Sequence, residues 1–258
     1  MNQEERLQFL VSYLCNEKGI EIEMPETHEA LFKLYRALVN IREAKPISTE
    51  FLKLQDAMLQ EENQRKGIVL FDDNPEQIIL WKGDITRLKV DAIVNAANDH
   101  MEGCFIPGHH CIDNAIHTFA GVQLRNDCHQ MMIEQGSLEA TGKAKITKAY
   151  NLPCSYILHT VGPIIRGIVT RRDERLLASC YENCLRLAED YHLKTLAFCC
   201  ISTGVFHFPN ALAAQIAVRT VRKYLETSTI EKVIFNVFKD EDEVIYRKLL
   251  HQLTGSTG

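Results

Sequence analysis

A chain of 258 residues, 46% hydrophobic and 24% charged, can bury a sizeable core as one large domain or two smaller ones. Its formal charge of −5 argues against general nucleic-acid binding, which relies on concentrated Lys and Arg. The opening MNQEERLQFL has neither a basic n-region nor a long apolar run, so neither a signal peptide nor a membrane span is expected. Nine cysteines, an odd number without an export signal, point to reduced thiols and a cytoplasmic setting.

Residues 1 to about 70 read as helical. Leu7, Leu10, Val11 and Leu14 recur at helical spacing, as do Leu31, Leu34, Tyr35, Leu38 and Ile41. Thr27 and Ser48, each two residues after a proline, stand as N-caps of two further helices. The polar run 61–67 and the turn-rich DDNPE (72–76) mark a boundary. The division expected is a helical extension over 1–72 and a second domain over 73–258, the helices capping the second part or offering a docking surface.

From about residue 77 the pattern alternates. QIILWKG, DAIVNAA, SYILHTV, TLAFCCIS and KVIFNVF are short β-rich runs, and helical stretches such as 173–191 and 209–226 lie between them. Leu212, Ile216, Val218, Val221 and Leu225 supply the apolar face of the last of these. Several strands are continuously apolar, as strands covered on both faces are. The reading is an α/β fold with helices on both sides of the sheet. Seven cysteines, at 15, 128, 154, 180, 184, 199 and 200, fall in apolar or helical contexts and read as small core fillers.

Three stretches carry chemistry. In GCFIPGHHCIDNAIH (103–117), Cys104, His109 and Cys111 form a C-x4-H-x-C array turned by Pro107-Gly108. Zinc favours such thiolate and imidazole ligands, and three protein ligands leave a position for water or substrate. His110 is the less suitable imidazole, because neighbouring side chains diverge. The array also admits a zinc that only pins the loop, or no metal. In ISTGVFHFP (201–209) a strand runs into a loop of small residues before a helix. The N–H groups of such a loop favour an anion, above all phosphate, unless it is a plain strand–helix turn. In KGDITRL (82–88), Asp84 either caps the turn or accepts a hydrogen bond from an exocyclic amine such as that of adenine.

Taken in order, GDIT (83–86), DAIVNAAN (91–98), CIDNAIHTFAG (111–121), TGKAKITKAYNLPCSYILHTVGP (141–163) and ISTGVF (201–206) resemble the macrodomain family, over about two-thirds of the chain. GCFIPGHHC stands where hydrolytic members carry a glycine run, which resembles the zinc-containing bacterial macrodomains that remove ADP-ribose from proteins. That subfamily also carries a helical N-terminal extension. The resemblance implies a three-layer α-β-α fold with a mixed sheet, and a Zn2+ cofactor held by Cys104, His109 and Cys111 beside the distal ribose. It further implies adenine contacts from Asp84 and Ile85 and ribose contact from Asn98. Ser202, Thr203, Gly204, Val205 and Phe206 would form the diphosphate loop, and Asp113 would be the catalytic carboxylate. Phe238 would stack on adenine, and His117 matches the family pattern in a helix-packing role. The substrate implied is mono-ADP-ribose esterified to an acidic side chain, on a lipoylated carrier protein modified by a sirtuin-type transferase. A non-catalytic ADP-ribose reader and an ADP-ribose 1″-phosphate phosphatase are the alternatives within the family.

Overall fold

The computed structural model describes residues 1–251, so 252–258, the end of the expected second domain, lie outside the described residues. Three helices come first: α1 (Gln3–Lys18), α2 (His28–Asn40) and α3 (Thr49–Lys66). Each begins where a polar side chain satisfies an otherwise orphaned N–H group. Asn2 forms a capping box with Glu5, Thr27 accepts from Ala30 N–H at 3.3 Å, and Ser48 from Phe51 N–H at 3.1 Å. The two expected caps are therefore in place. Leu7, Leu10, Leu14, Leu31, Tyr35, Phe51 and Met58 close an apolar cluster between the helices.

The remainder alternates: β1 (Ile78–Lys82), β2 (Ala92–Ala97), α4 (Ile112–Ala120), α5 (Val122–Gln135), β3 (Ala144–Lys148), β4 (Tyr156–Val161), α6 (Arg171–Asp190), β5 (Thr195–Phe198), α7 (Asn210–Leu225), β6 (Lys232–Val237) and α8 (Asp240–His251). The six strands form one sheet in the order β1-β6-β5-β2-β4-β3. Every pairing is parallel except β3 with β4, so the sheet is mixed, as expected. Helices α6, α7 and α8 pack in succession on one another, and α4 and α5 form a second layer that meets the N-terminal helices. The buried runs Ala92, Ile93, Val94 and Val233, Ile234, Phe235 are the doubly covered strands that their apolar sequences predict. β5 ends at Phe198, short of the expected TLAFCCIS, because the chain leaves the sheet at Cys199 to form a loop. Among the described residues no helix is long and apolar enough to cross a membrane.

Two features join the N-terminal helices to the sheet layers. Arg125 of α5, itself buried, donates to the carbonyls of Val39 and Asn40 at 2.9 Å each, to that of Arg42 and to that of Glu102 at 2.7 Å. One guanidinium thus satisfies the C-terminal carbonyls of α2. Gln55 of α3 donates to Gln123 at 2.7 Å and accepts from the N–H of Val122.

Where α4 meets the sheet, two histidines are buried, His117 of α4 and His159 of β4. His159 is held by Asn95 Nδ2 at 3.2 Å and Thr147 Oγ1 at 2.8 Å, and burial lowers its pKa to about 3. His117 is also pushed well down, first by burial and then by His159 and Arg125. Both are neutral in the folded state but titrate near 6.5 when exposed. Their stabilising neutrality is complete above pH 6.5 and erodes as the pH falls toward the folded values. Between pH 7 and pH 5, His159 alone removes about 2 kcal/mol of unfolding free energy. Urea denaturation at the two pH values checks this: the drop in midpoint in His159→Gln should be smaller than in the wild type.

Candidate active site

The strand order reverses at β2, which pairs with β4 on one side and β5 on the other. Open α/β sheets bind ligands at such a reversal, outside the carboxyl ends of the strands. A cleft of about 480 Å³ opens there, a size suited to a small-molecule ligand. Ala96 of β2, Cys199 and Cys200 after β5, and Asn236 of β6 form its floor. The stretch His109–Ile112 and the loop Ser202–Phe206 form opposite walls, with Asp84, Ile85 and Phe238 at one end.

That end is built by two strand termini. Gly83 N–H donates to Val237 carbonyl at 2.9 Å, and Asn236 Nδ2 donates to Gly83 carbonyl at 2.9 Å. The tie brings Asp84 beside Phe238, whose ring is 76% exposed. Asp84 does cap the short 3-10 turn Ile85–Arg87, accepting from the N–H and hydroxyl of Thr86 at 3.0 and 2.7 Å. It also lines the cleft, so capping and pocket roles coexist. Burial alone would raise the Asp84 pKa, but Lys66 at 2.6 Å and the Thr86 bonds outweigh it and hold the carboxylate low. Lys66 comes from α3, and no sequence motif marked it.

The loop 199–209 has the features of an anion cradle. Ser202 adopts a left-handed φ of 65°, and its hydroxyl is buried without a hydrogen-bond partner among the described residues. Thr203 Oγ1 and N–H are turned onto Cys200 carbonyl. Among the described residues, the N–H groups of Gly204, Val205 and Phe206 donate to no protein acceptor. Consecutive free N–H groups ahead of α7 favour a negatively charged ligand. Phe206 carbonyl accepts from Ile165 N–H at 2.8 Å, which fixes this end of the cleft to the chain after β4.

Cys104, His109 and Cys111 converge as expected. Their ligand atoms all lie within 4.8 Å of one another, and Cys104 Sγ is 3.4 Å from His109 Nδ1. A tetrahedral zinc, with bonds of about 2.3 Å to sulfur and 2.0 Å to nitrogen, sets such edges near 3.6 Å. The donor set and its spacing fit the ion. Burial first, and then the neighbouring Cys104, pushes the Cys111 thiol up to about 12. A cation between the sulfurs reverses that, since a coordinating thiol is deprotonated outright. His109 and Cys111 line the cleft; Cys104 stands behind them. Gly103 precedes the array with φ 84°, and a Cβ there would lie 2.8 Å from the His117 ring.

Asn98 and Asp113 do not line the cleft. Asn98 braces its own turn, donating to Gly103 carbonyl at 3.1 Å and accepting from His100 N–H at 3.0 Å. Asp113 is 5% exposed; it accepts from Asn95 Nδ2 at 2.8 Å and faces His117 Nε2 at 3.5 Å. Burial raises its pKa to about 6, although the Asn95 bond and Arg125 pull the other way. Arg36 of α2, Gly162, Lys239 and Asp242 line the cleft, and the sequence singled out none of them. Arg36 and Lys66 belong to a stretch whose sequence shows only helical spacing. Gly162 was hidden within HTVGP.

Gly162 carries a sharp test. A Cβ there would lie 2.0 Å from Ser202 Oγ and 2.9 Å from Ile201 Cγ2, so Gly162→Ala must drive the Ser202 and Ile201 side chains from their places in the anion loop. Calorimetric titration with a nucleoside diphosphate should show affinity falling about tenfold or more, the cost of losing one or two charge-assisted hydrogen bonds.

Comparison with known proteins agrees with this geometry. The Macro domain family model matches residues 94–217. A Protein-ADP-ribose hydrolase of Staphylococcus aureus (strain MSSA476) is 50% identical over 254 residues, covering 96% of both chains. One from Treponema medium is 51% identical over 262 residues, covering 97% of this chain and all of the relative. An Oceanobacillus iheyensis macrodomain determined with ADPR superposes with a TM-score of 0.64 at 36% identity, covering 70% of this chain and 95% of that one. A Trypanosoma brucei macrodomain in complex with ADP-ribose gives 0.64 at 28% identity, covering 83% and 94%. With a relative half identical along nearly its whole length, and with its cleft at the strand reversal, this chain belongs to the macrodomain family.

Proposed function

We propose that this protein hydrolyses the bond between ADP-ribose and a modified protein side chain. The observation that carries the proposal is the juxtaposition, on one cleft, of an anion loop with free N–H groups and a two-thiol, one-imidazole array. A module that only bound ADP-ribose would need the first and not the second. The names of the Staphylococcus aureus and Treponema medium relatives support the same activity.

In this reading the diphosphate sits against Gly204–Phe206 and the Ser202 hydroxyl, while adenine occupies the end formed by Asp84, Ile85 and Phe238. The distal ribose then faces the wall of His109 and Cys111. Cys104, His109 and Cys111 would hold zinc, which supplies Lewis acidity toward an oxygen at the reacting centre. Asn98 keeps the turn after β2 in shape and orients the ribose, so that attack is aligned. Asp113 takes the acid–base role, from its place next to cleft-lining Ile112 in the first turn of α4. Its carboxylate faces Asn95 here, and catalytic hydrogen bonds commonly tighten only once substrate is bound. The linkage proposed is an ester from an acidic side chain to the anomeric carbon. Water cleaves it into the free carboxylic acid and ADP-ribose. A lipoylated carrier protein modified by a sirtuin-type transferase is the specific substrate proposed, and the setting proposed is the cytoplasm.

Release of ADP-ribose from a mono-ADP-ribosylated protein tests the reading. Asp113→Ala should lower turnover by roughly 10²–10⁴-fold, the usual worth of a positioned acid or base, while ADP-ribose binding changes little. Cys104→Ala and His109→Ala should abolish zinc in elemental analysis of the purified protein and reduce turnover far more than binding. Wild-type protein that binds ADP-ribose tightly and releases none would instead be a reader. Free phosphate from ADP-ribose 1″-phosphate would mark a phosphatase.

A further inference from the structure

The 104–111 loop has little burial to hold it. Ile106 is 59% exposed and Phe105 is 41% exposed, and no helix or strand runs through the segment. Apart from the Arg125 guanidinium, which lies over the Phe105 ring at 4.1 Å, polar contacts from α2 and α4 hold it. Arg36 donates through Nε and Nη2 to Asn114 Oδ1 at 3.0 and 2.8 Å, and through Nη2 to His109 carbonyl at 3.0 Å. Asn114, which is fully buried, passes the contact on. Its Nδ2 donates to Ile106 carbonyl at 3.0 Å, and its backbone N–H donates to Cys111 Sγ at 3.4 Å. One helical turn after Arg36, on the same face of α2, Asn40 Oδ1 accepts from Gly108 N–H at 2.9 Å. Asn40 Nδ2 donates to Thr118 Oγ1, which in turn donates to Asn114 carbonyl.

Two side chains of one helix therefore grip the turn that separates Cys104 from Cys111, directly at Gly108 and His109 and, through Asn114, at Ile106. We propose that Arg36 is a positioning residue of the active site: with Asn40 it holds the 104–111 loop in the one conformation in which its two sulfurs and imidazole converge. On this view α2 is part of the hydrolytic apparatus rather than a cap upon it. The proposal rests on the reading of Cys104, His109 and Cys111 as zinc ligands. The requirement is geometric. The planar fork of arginine places two N–H groups on Asn114 Oδ1 while one of the same nitrogens reaches His109 carbonyl. A lysine ammonium, a single point of charge, cannot reproduce this.

The test uses the full-length protein and zinc itself. Wild type, Arg36→Gln and Arg36→Lys are each loaded with one equivalent of zinc, and release to a chromogenic chelator is timed. Groups that orient metal ligands are typically worth about 10–100-fold in metal affinity, and release should accelerate by that order in both variants. Turnover should fall with zinc retention and recover in excess zinc, whatever ADP-ribose affinity and melting temperature the variants lose with the cleft-lining guanidinium and its bonds to buried Asn114. Lysine restoring wild-type release would overturn the proposal, since charge alone would then suffice. Unchanged release with weakened ADP-ribose binding would also overturn it, making Arg36 a ligand contact only. Zinc present in wild type with unaltered variants sinks this inference and leaves the metal reading standing. Wild type that retains no zinc sinks both.

Discussion

β2 pairs in parallel with β4 on one side and with β5 on the other, and the chain must part where it does so. After β2 it turns out through the 98–111 loop to α4, and after β5 through the 199–209 loop to α7. Two loops that leave adjacent strands in opposite directions cannot close over the strand ends. The gap between them is the cleft, and everything chemical in the molecule is placed relative to it. Each loop brings a different capability: one presents free backbone N–H groups, the other sulfur and imidazole. The division of β2's two edges between β4 and β5 therefore sets both loops on one cleft.

The packing around that gap is economical in charge. The chain is acidic overall, with a formal charge of −5, yet Arg36 and Lys239 line the cleft and Lys66 stands behind Asp84. The cleft therefore gathers cations and amide dipoles inside an otherwise negative molecule. Lys66 is anchored by Asp84 and Thr86 and lies over the Phe119 ring at 3.5 Å. It serves the cleft by keeping Asp84 ionised rather than by reaching the ligand. Arg36 likewise spends its donors on the protein. The N-terminal helices thus contribute charge to the site mainly through second parties.

Much of this was legible in the sequence because the informative residues are local. The C-x4-H-x-C spacing folds back on itself within eight residues, and ISTGVF lies between a strand and a helix. Such motifs need only their own turn to be recognised, and the β-rich runs marked five of the six strands, β3 (Ala144–Lys148) alone going unmarked. Three kinds of feature were not legible. Arg36 and Lys66 act across 78 and 18 residues of separation, reaching Asn114 and Asp84 from helices whose periodicity encodes only their apolar face. Gly162 matters because of Ser202, forty residues on, whose hydroxyl occupies the space of a side chain. And Asp113, one residue from the cleft wall, turns toward Asn95, because a residue in the first helical turn can face either the ligand or the sheet. Spacing identifies which groups are near, and packing decides which way they point.

The guanidinium of Arg125 has a consequence for the chain as a whole. It closes the end of α2 from a helix that itself meets β3 of the sheet, so parting the two portions gives up a buried, charge-assisted set of hydrogen bonds. The first seventy residues are therefore not a detachable module joined by a linker. Cutting them away would leave that buried guanidinium with one of its four carbonyl acceptors, that of Glu102.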